Sequence, residues 1–353
     1  MGVIYFILVL SVIIVIHELG HLIAAKAFGV YCYEFSLGMG AKLFSIQGKE
    51  TKYSLRLIPI GGYVAMSGEQ EDDMELYPNI DVPANRSIKG IARWKRVIVM
   101  LAGIAMNFAL CWLIITGLLL NSGAYGISPK PIVESVVENG PAEAAGFQSG
   151  DLIKKVVLDD GTVIKPKEFD DITIFTQMYT GEVVYTVERN GELIELPPVK
   201  GIQNEQGAYM IGINSPKGEY VEITLLNAGY YSFDYMVDMT KDIFKSLARL
   251  VQGNGLDQLS GPVGIYQVTE QTASQGPTSL LLLVALLSLN VGIFNLLPLP
   301  ILDGGRVVLI VAEIIIGKPL NKKFEIGLMT ASMVLLFGLM IFATWQDIVR
   351  IFN

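Results

Sequence analysis

The chain is expected to be a polytopic α-helical membrane protein with four transmembrane helices, a membrane-associated β-hairpin and an inserted β-rich domain. Three observations lead there. Four apolar runs, 3–25, 97–120, 279–297 and 327–345, each approach the ~20 residues that a helix needs to cross a bilayer core. Residues 41–66 and 128–200 contain stretches that alternate with the two-residue period of strands. Of the 353 residues, 52% are hydrophobic and the mean hydropathy is +0.48, too apolar for an ordinary soluble domain.

The first run begins at Met1, as a signal peptide would, but it has no basic n-region and no small-residue cleavage site. It continues through HELGH, so residues 1–27 are expected to be a retained first span. Residues 28–96 form a loop in which "KLFSI" and "YSLRLIPI" flank a "QGKE" turn, the pattern of a hairpin. From the pattern alone, an ordinary amphipathic connector fits as well. "GGYVAMSGE" follows, where paired glycines suit a backbone passing close to something else. The polar "EQEDDMELYPNIDVPANRS" is expected to be a loop.

After the second span, 97–120, residues 121–205 form the inserted domain. "PIVESVV" and "EVVYTVERNGELIEL" alternate, the latter around an Asn190-Gly191 turn. Gly146-Phe147-Gln148-Ser149-Gly150-Asp151-Leu152-Ile153 resembles the recognisable turn of a bacterial-type PDZ domain. Such domains take an extended peptide as an added strand. The alternative is a small β domain without a ligand. The connector 206–278 contains an amphipathic helix with Phe233, Met236, Val237, Phe244, Leu247 and Leu250 on one face and Asp238, Lys241, Asp242 and Lys245 opposite. It is expected to lie on the membrane surface, with "LSGPVGI" as a tight loop behind it. A third span with "NLLPLPILDGG" covers 279–305, a short segment 306–326, and a fourth span 327–347. No repeat or low-complexity segment occurs.

The formal charge of −8 is uneven. Residues 121–278 carry 21 acidic and 11 basic side chains, a balance of −10, which leaves +2 for the rest. Lys89, Arg93, Lys95 and Arg96 precede the second span, and Arg306, Lys318, Lys322 and Lys323 lie between the third and fourth. Cytoplasmic loops are the basic ones. The loop 28–96 and the segment 306–326 are therefore expected in the cytoplasm, and both termini and the β-rich domain outside. The pattern argues against a nucleic-acid partner. The two cysteines, Cys32 and Cys111, imply no disulfide framework.

His17, Glu18 and His21 interrupt the first apolar run, where ionisable groups are costly and mark function. On a helix, residues four apart share one face. This is H-E-x-x-H, the zinc-binding helix of metalloproteases, with the glutamate as general base. Two histidines hydrogen-bonded inside a bundle would be the ordinary alternative. However, these are the chain's only histidines, and a buried glutamate beside them needs a cation. A catalytic zinc takes three protein ligands and keeps one position open. With no third histidine or suitable cysteine, the third ligand is expected to be acidic. Asp303 is the first candidate, because Pro298 and Pro300 end the helix and Gly304-Gly305 permit a turn. A capping role for Asp303 is the alternative, and Glu313 is the fallback ligand.

Together, His17-Glu18-Leu19-Gly20-His21, the following "FGVYCYEFSLGMGAKL", and Asn290 with "NLLPLPILDG" from Asn295 to Gly304 resemble the site-2 protease family of intramembrane zinc metalloproteases. The single PDZ-like segment between spans two and three is similar to its bacterial RseP- and RasP-like members. The resemblance covers essentially the whole chain. It implies one Zn²⁺ per chain on His17, His21 and Asp303, with catalysis by Glu18. It also implies substrate contacts at Asn295, Asn290, Gly61 and Gly62. The expected partners are the lipid bilayer and single-span membrane proteins, such as anti-sigma factors or remnant signal peptides, cleaved in a bacterial inner membrane. Ile104 in "AGIAMNF" departs from the family, where many relatives have proline. Two other functions compete: a zinc transporter, which would need further ligands along the spans, and a silent membrane protein whose PDZ-like segment only captures partners.

Overall fold

The computed structural model describes residues 2–69, 77, 80–159, 161–203, 209–251 and 259–352. Residues 70–76, 78 and 79 of the polar loop expected after Gly68 lie outside the described residues. The chain divides into two compact units, Met1–Asn121 with Leu225–Asn353, and Ser122–Thr224.

In the first unit, α1 (Gly2–Ala27) leads into strands β1 (Cys32–Gln47) and β2 (Lys52–Met66), and then α2 (Arg93–Ser122). After the second unit come α5 (Ala228–Val251), α6 (Pro262–Ser274), α7 (Pro277–Asn295), α8 (Asp303–Ile316) and α9 (Lys322–Phe352). Among the described residues, α1, α2, α7 and α9 are the helices long and apolar enough to cross a membrane. Large apolar side chains such as Ile4, Leu8, Val334, Phe337 and Ile341 are exposed, the state expected for residues facing lipid.

Three packed clusters hold the helices together. Val9 and Ile13 of α1 meet Val284 of α7. Leu22 and Ala25 of α1 meet Val64 and Met66 of β2, Val99 and Met100 of α2, and Ile310 of α8. Cys111 and Ile115 of α2 meet Ala285, Leu289 and Ile293 of α7.

The expected amphipathic helix is present as α5, and this last cluster shows what part of its apolar face meets. Tyr235, Met236, Met239, Ile243 and Leu247 of α5 pack against α2 and α7. Phe233 and Phe244, expected on the same apolar face, are exposed. Part of the apolar face of the helix is thus taken up by the bundle. An apolar stripe reports that a face is covered, without naming what covers it. The expected tight loop at "LSGPVGI" is replaced by helix α6, whose N-terminus is closed from a distance. The buried Asp347 carboxylate of α9 accepts Gly261 N at 2.9 Å and Gly264 N at 2.7 Å, supplying the acceptor that a helix start lacks.

The hairpin is longer than its local alternation indicated. Its register places Leu37 against Gly62 on one side and Leu55 on the other, while Leu55 also faces Phe44. Each strand thus contributes two segments to one small sheet. Gly38, Gly40 and Gly61 take positive φ, where the chain bends in a way that a side chain disfavours. Alternation breaks at such bends, which is why Cys32–Gly40 escaped notice. Arg56 binds the sheet together: Nη2 reaches Glu34 Oε1 at 3.0 Å, Nε donates to Ser36 Oγ at 3.0 Å and Nη1 to Gly40 O at 2.8 Å. It also donates to Tyr63 Oη at 2.5 Å. Burial raises the Glu34 carboxyl, but hydrogen bonds, Arg56's among them, hold it below the ordinary carboxylate range.

The second unit begins and ends in a ribbon of β3 (Ala124–Ile127) and β13 (Glu219–Glu222). Further antiparallel pairs join β4 (Ser135–Val136) to β12 (Ile213–Asn214) and β10 (Ile202–Gln203) to β11 (Tyr209–Met210). The main sheet has the order β6-β5-β7-β8, with β9 on β7. These strands are β5 (Leu152–Leu158), β6 (Val163–Ile164), β7 (Glu182–Arg189), β8 (Glu192–Glu195) and β9 (Val199–Lys200). Helices α3 (Pro141–Ala144) and α4 (Phe169–Met178) cover a core that includes Phe147, Ile153, Ile172, Tyr185 and Val187. Asn190 and Gly191 take φ 54° and 86° at the β7–β8 turn, the conformation that this dipeptide favours. In the Gly146–Ile153 turn, buried Asp151 pairs with Arg189 at 2.7 Å and accepts Gln148 N at 2.9 Å. That carboxylate holds the turn together.

Replacing Arg56 by leucine should leave Glu34 buried without its cation. Thermal unfolding of the detergent-purified protein is expected to show a loss of about 3 kcal/mol, as when one partner of a buried pair is removed. A loss below about 0.5 kcal/mol, the range of neutral surface changes, would show that the network is not structural.

Candidate metal centre

His17 and His21 project from one face of α1, four residues apart, and both are buried. Their Nε2 atoms lie 3.2 Å apart. Asp303 Oδ2 lies 3.1 Å from His17 Nε2 and 3.2 Å from His21 Nε2. Among the described residues this is the one group of histidine, cysteine or acidic side chains able to hold a metal ion, with one ligand atom from each residue within 4.8 Å of the others.

Local sequence explains how Asp303 arrives there. Helix α7 ends at Asn295, and the prolines at 298 and 300 prevent it from continuing. Leu299 N donates to Leu297 O at 2.8 Å and Leu302 N to Leu299 O at 2.8 Å, so the chain turns tightly. A side chain on Gly304 would collide with the Leu296 backbone, and one on Gly305 with Leu299. The two glycines let α8 begin hard against that turn, with Asp303 as its first residue. The capping alternative fails, because the N-cap is Leu302 and no side chain caps the helix. Glu313, the fallback, is engaged elsewhere: it pairs with Arg96 at 3.1 Å and accepts Leu320 N at 3.3 Å.

A cavity of about 250 Å³ opens beside the three residues. Glu18, Asn295, Tyr63 and Arg306 line it, together with His17, His21 and Asp303. Asn295 spends one amide hydrogen on Val291 O at 2.9 Å. Gly62 sits against α1, since a Cβ there would lie 3.4 Å from Glu18 Cγ and 2.9 Å from Ser36 O. Of the four residues expected to touch substrate, the structure brings Asn295 and Gly62 to the site. Asn290 is not on the cavity wall, and Gly61 packs against Met39.

One helix supplied residues that the sequence analysis did not assign. Val99 O of α2 accepts His21 Nδ1–H at 2.8 Å. Four residues later, a side chain on Gly103 would run into both imidazole rings. Four further on, Asn107 reaches His17 Nδ1 at 3.2 Å. The signal was the spacing 99, 103, 107, which matches the helical repeat of 17 and 21. Its last two positions lie inside "AGIAMNF", singled out in the sequence only for Ile104, which is buried in an unbroken helix. On the other side of the cavity, Arg306 pairs with Glu69.

The model of "Peptidase family M50" matches residues 5–339. The chain belongs to peptidase family M50. The zinc metalloprotease RasP of Shouchella clausii is 32% identical, over 99% of each chain. The regulator of sigma-W protease RasP of Bacillus subtilis is 31% identical, again over 99% of each. A crystal structure of the PDZ domain of an SdrC-like protein from Listeria monocytogenes covers 24% of this chain and 84% of that one. It does so at 22% identity and a TM-score of 0.21, which is too low to bear on the fold. This M50 chain is a zinc metalloprotease of the site-2 type, an intramembrane protease.

Gly103 tests the closeness of α2 to the histidines. Gly103→Ala is expected to displace the rings and weaken zinc binding at least about tenfold, as disturbed ligand support does. Zinc affinity measured against a competing chelator decides; unchanged affinity would mean that α2 has room to retreat.

Proposed function

We propose that this M50 protease holds its zinc on His17, His21 and Asp303 and uses Glu18 as general base and acid to cleave transmembrane segments of single-span proteins. The observation that carries the reading is the convergence of two Nε2 atoms and one carboxylate oxygen within 3.1–3.2 Å. Asp303 Oδ2 is fully buried and accepts no hydrogen bond among the described residues. Three electron-rich atoms so placed repel one another unless a metal ion or a proton lies among them. Tetrahedral zinc with bonds of about 2.0–2.1 Å spaces its ligands by roughly 3.3 Å, close to what is observed.

Bound there, zinc supplies Lewis acidity, polarising a peptide carbonyl and acidifying water. Glu18, on the same cavity wall, takes the proton from the attacking water and returns it to the leaving amine. The second amide hydrogen of Asn295 is directed to the oxyanion as it forms. A membrane helix hides its carbonyls in internal hydrogen bonds, so the substrate must unwind. The sheet of β1 and β2, with Gly62 beside Glu18, offers strand edges on which an extended segment can rest.

The charge pattern puts the basic loop and α8 on the cytoplasmic side, and both termini with residues 121–205 outside. We assign that outer domain, PDZ-like by its Gly146–Ile153 turn, the role of a filter that excludes substrates with bulky outer domains. By analogy with the B. subtilis relative, whose name makes it a regulator of sigma-W, anti-sigma factors are the substrate class to try first, then remnant signal peptides.

Glu18→Gln should keep zinc yet reduce cleavage of a tagged single-span substrate to trace levels, because glutamine cannot take the proton. Full zinc with near-normal turnover would remove Glu18 from the mechanism. Asp303→Asn should lower zinc content and cleavage together, and a variant normal in both would return the third ligand to open question.

Topology is checked with single cysteines in intact cells, the native Cys32 and Cys111 being buried. A cysteine at Asn190 should react with an impermeant thiol reagent, whereas one at Asn85 should not. Reversed labelling would overturn the orientation. Replacing residues 128–200 by a flexible linker should extend cleavage to untrimmed substrates that the full-length enzyme ignores; an unchanged preference for trimmed ones would reject the filter.

A further inference from the structure

We propose that Asn107 is the positioning residue for His17: its side-chain oxygen accepts the Nδ1–H of that ring and so commits Nε2 to the metal. The proposal rests on the ligand set above and goes beyond it to an unassigned residue of α2. A neutral imidazole carries one proton, and the nitrogen that lacks it is the ligand. Both histidines turn Nε2 toward Asp303, so both must carry their proton on Nδ1. For His21 the acceptor is Val99 O, which cannot donate and therefore settles that ring.

For His17, the group facing Nδ1 is the Asn107 amide, at 3.2 Å from Nδ2. Asn107 is fully buried, and its Oδ1 has no hydrogen-bond partner among the described residues. With the nitrogen toward His17, the ring would have to accept at Nδ1. It would then carry its proton on Nε2, pointing at the other ligands. Half a turn of the amide exchanges the two atoms, whose assignment follows from hydrogen bonding. The oxygen then meets Nδ1–H, and His17 acquires the same support as His21. Such outer partners orient metal-binding histidines and fix their tautomer.

The backbone around Asn107 is itself held. Ser288 Oγ of α7 donates to Asn107 O at 3.0 Å, which anchors this turn of α2 independently of the side chain. Helix α2 thus presents three aligned positions to the histidine pair: an acceptor carbonyl at 99, a glycine at 103 whose missing side chain lets the rings pack against the helix, and an acceptor amide at 107.

The test compares the full-length detergent-purified chain with N107L, which removes the acceptor at similar size, and N107D, which keeps an acceptor of the same shape. Zinc dissociation constants come from competition with a chelator, and thermal unfolding of the metal-free protein reports folding. N107L is expected to bind zinc about 10–100-fold more weakly, the usual cost of a lost outer partner, and N107D as tightly as the original chain or more so. A packing role predicts the reverse order, because leucine tolerates burial better than a carboxylate.

Equal affinity of N107L and the original chain overturns the proposal, as does an equal loss in N107D and N107L. If N107L does not fold, N107D decides: retained affinity supports the acceptor role, and a loss of about tenfold or more rejects it. His17→Ala separates the two levels of the argument. Zinc retained in that variant refutes the ligand set itself, whereas zinc lost there but unchanged in N107L refutes only the role of Asn107.

Discussion

Two histidine nitrogens and one carboxylate oxygen meet at a buried point among apolar helices, and much of the architecture follows from making that meeting tolerable. Polar groups in such surroundings are expensive unless each has a partner. The rings therefore need support on their far side, and α2 provides it at Val99 and Asn107. That support requires α2 to come close, which only a glycine at position 103 permits. The carboxylate must come from another helix, and the proline turn with Gly304 and Gly305 brings Asp303 in as the first residue of α8. The histidines could not stay where they are without these devices.

The sheet of β1 and β2 answers a second constraint. Buried backbone amides and carbonyls need partners. Here the two strands double back on themselves, so that Glu34–Leu37 has partners on both sides. Arg56 gathers Glu34, Ser36, Gly40 and Tyr63 into one network, and Tyr63 is at once a member of that network and part of the cavity wall. The strand that carries the Arg56 network thus also carries the wall beside Glu18. Beyond the strand's end, Glu69 pairs with Arg306, three residues after Asp303, tying this segment to the helix that presents the carboxylate. Family membership and geometry point the same way: the family is proteolytic, and the cavity gathers a glutamate, two histidines with an aspartate that could hold a metal ion, and an asparagine amide.

What lay open in the sequence was whatever is local. Four apolar runs announced four helices, because length and composition alone decide whether a helix can cross a bilayer. His17 and His21 were legible as a pair because one helix sets their spacing, and Asn190-Gly191 because two residues set a turn. What remained hidden depends on neighbours distant in the chain. The apolar stripe of α5 was visible, but that α2 and α7 cover part of it was not. Helix α6 was missed because its start is completed by Asp347, 86 residues from Gly261. The sequence left Asp303 and Glu313 both open as the acidic partner of the histidines; the fold pairs Glu313 with Arg96 and turns Asp303 toward the histidines. Asn107 needed the fold most. Its residue type says nothing of a metal, and its meaning comes from the packing of α2 against α1, which no periodicity within either helix encodes.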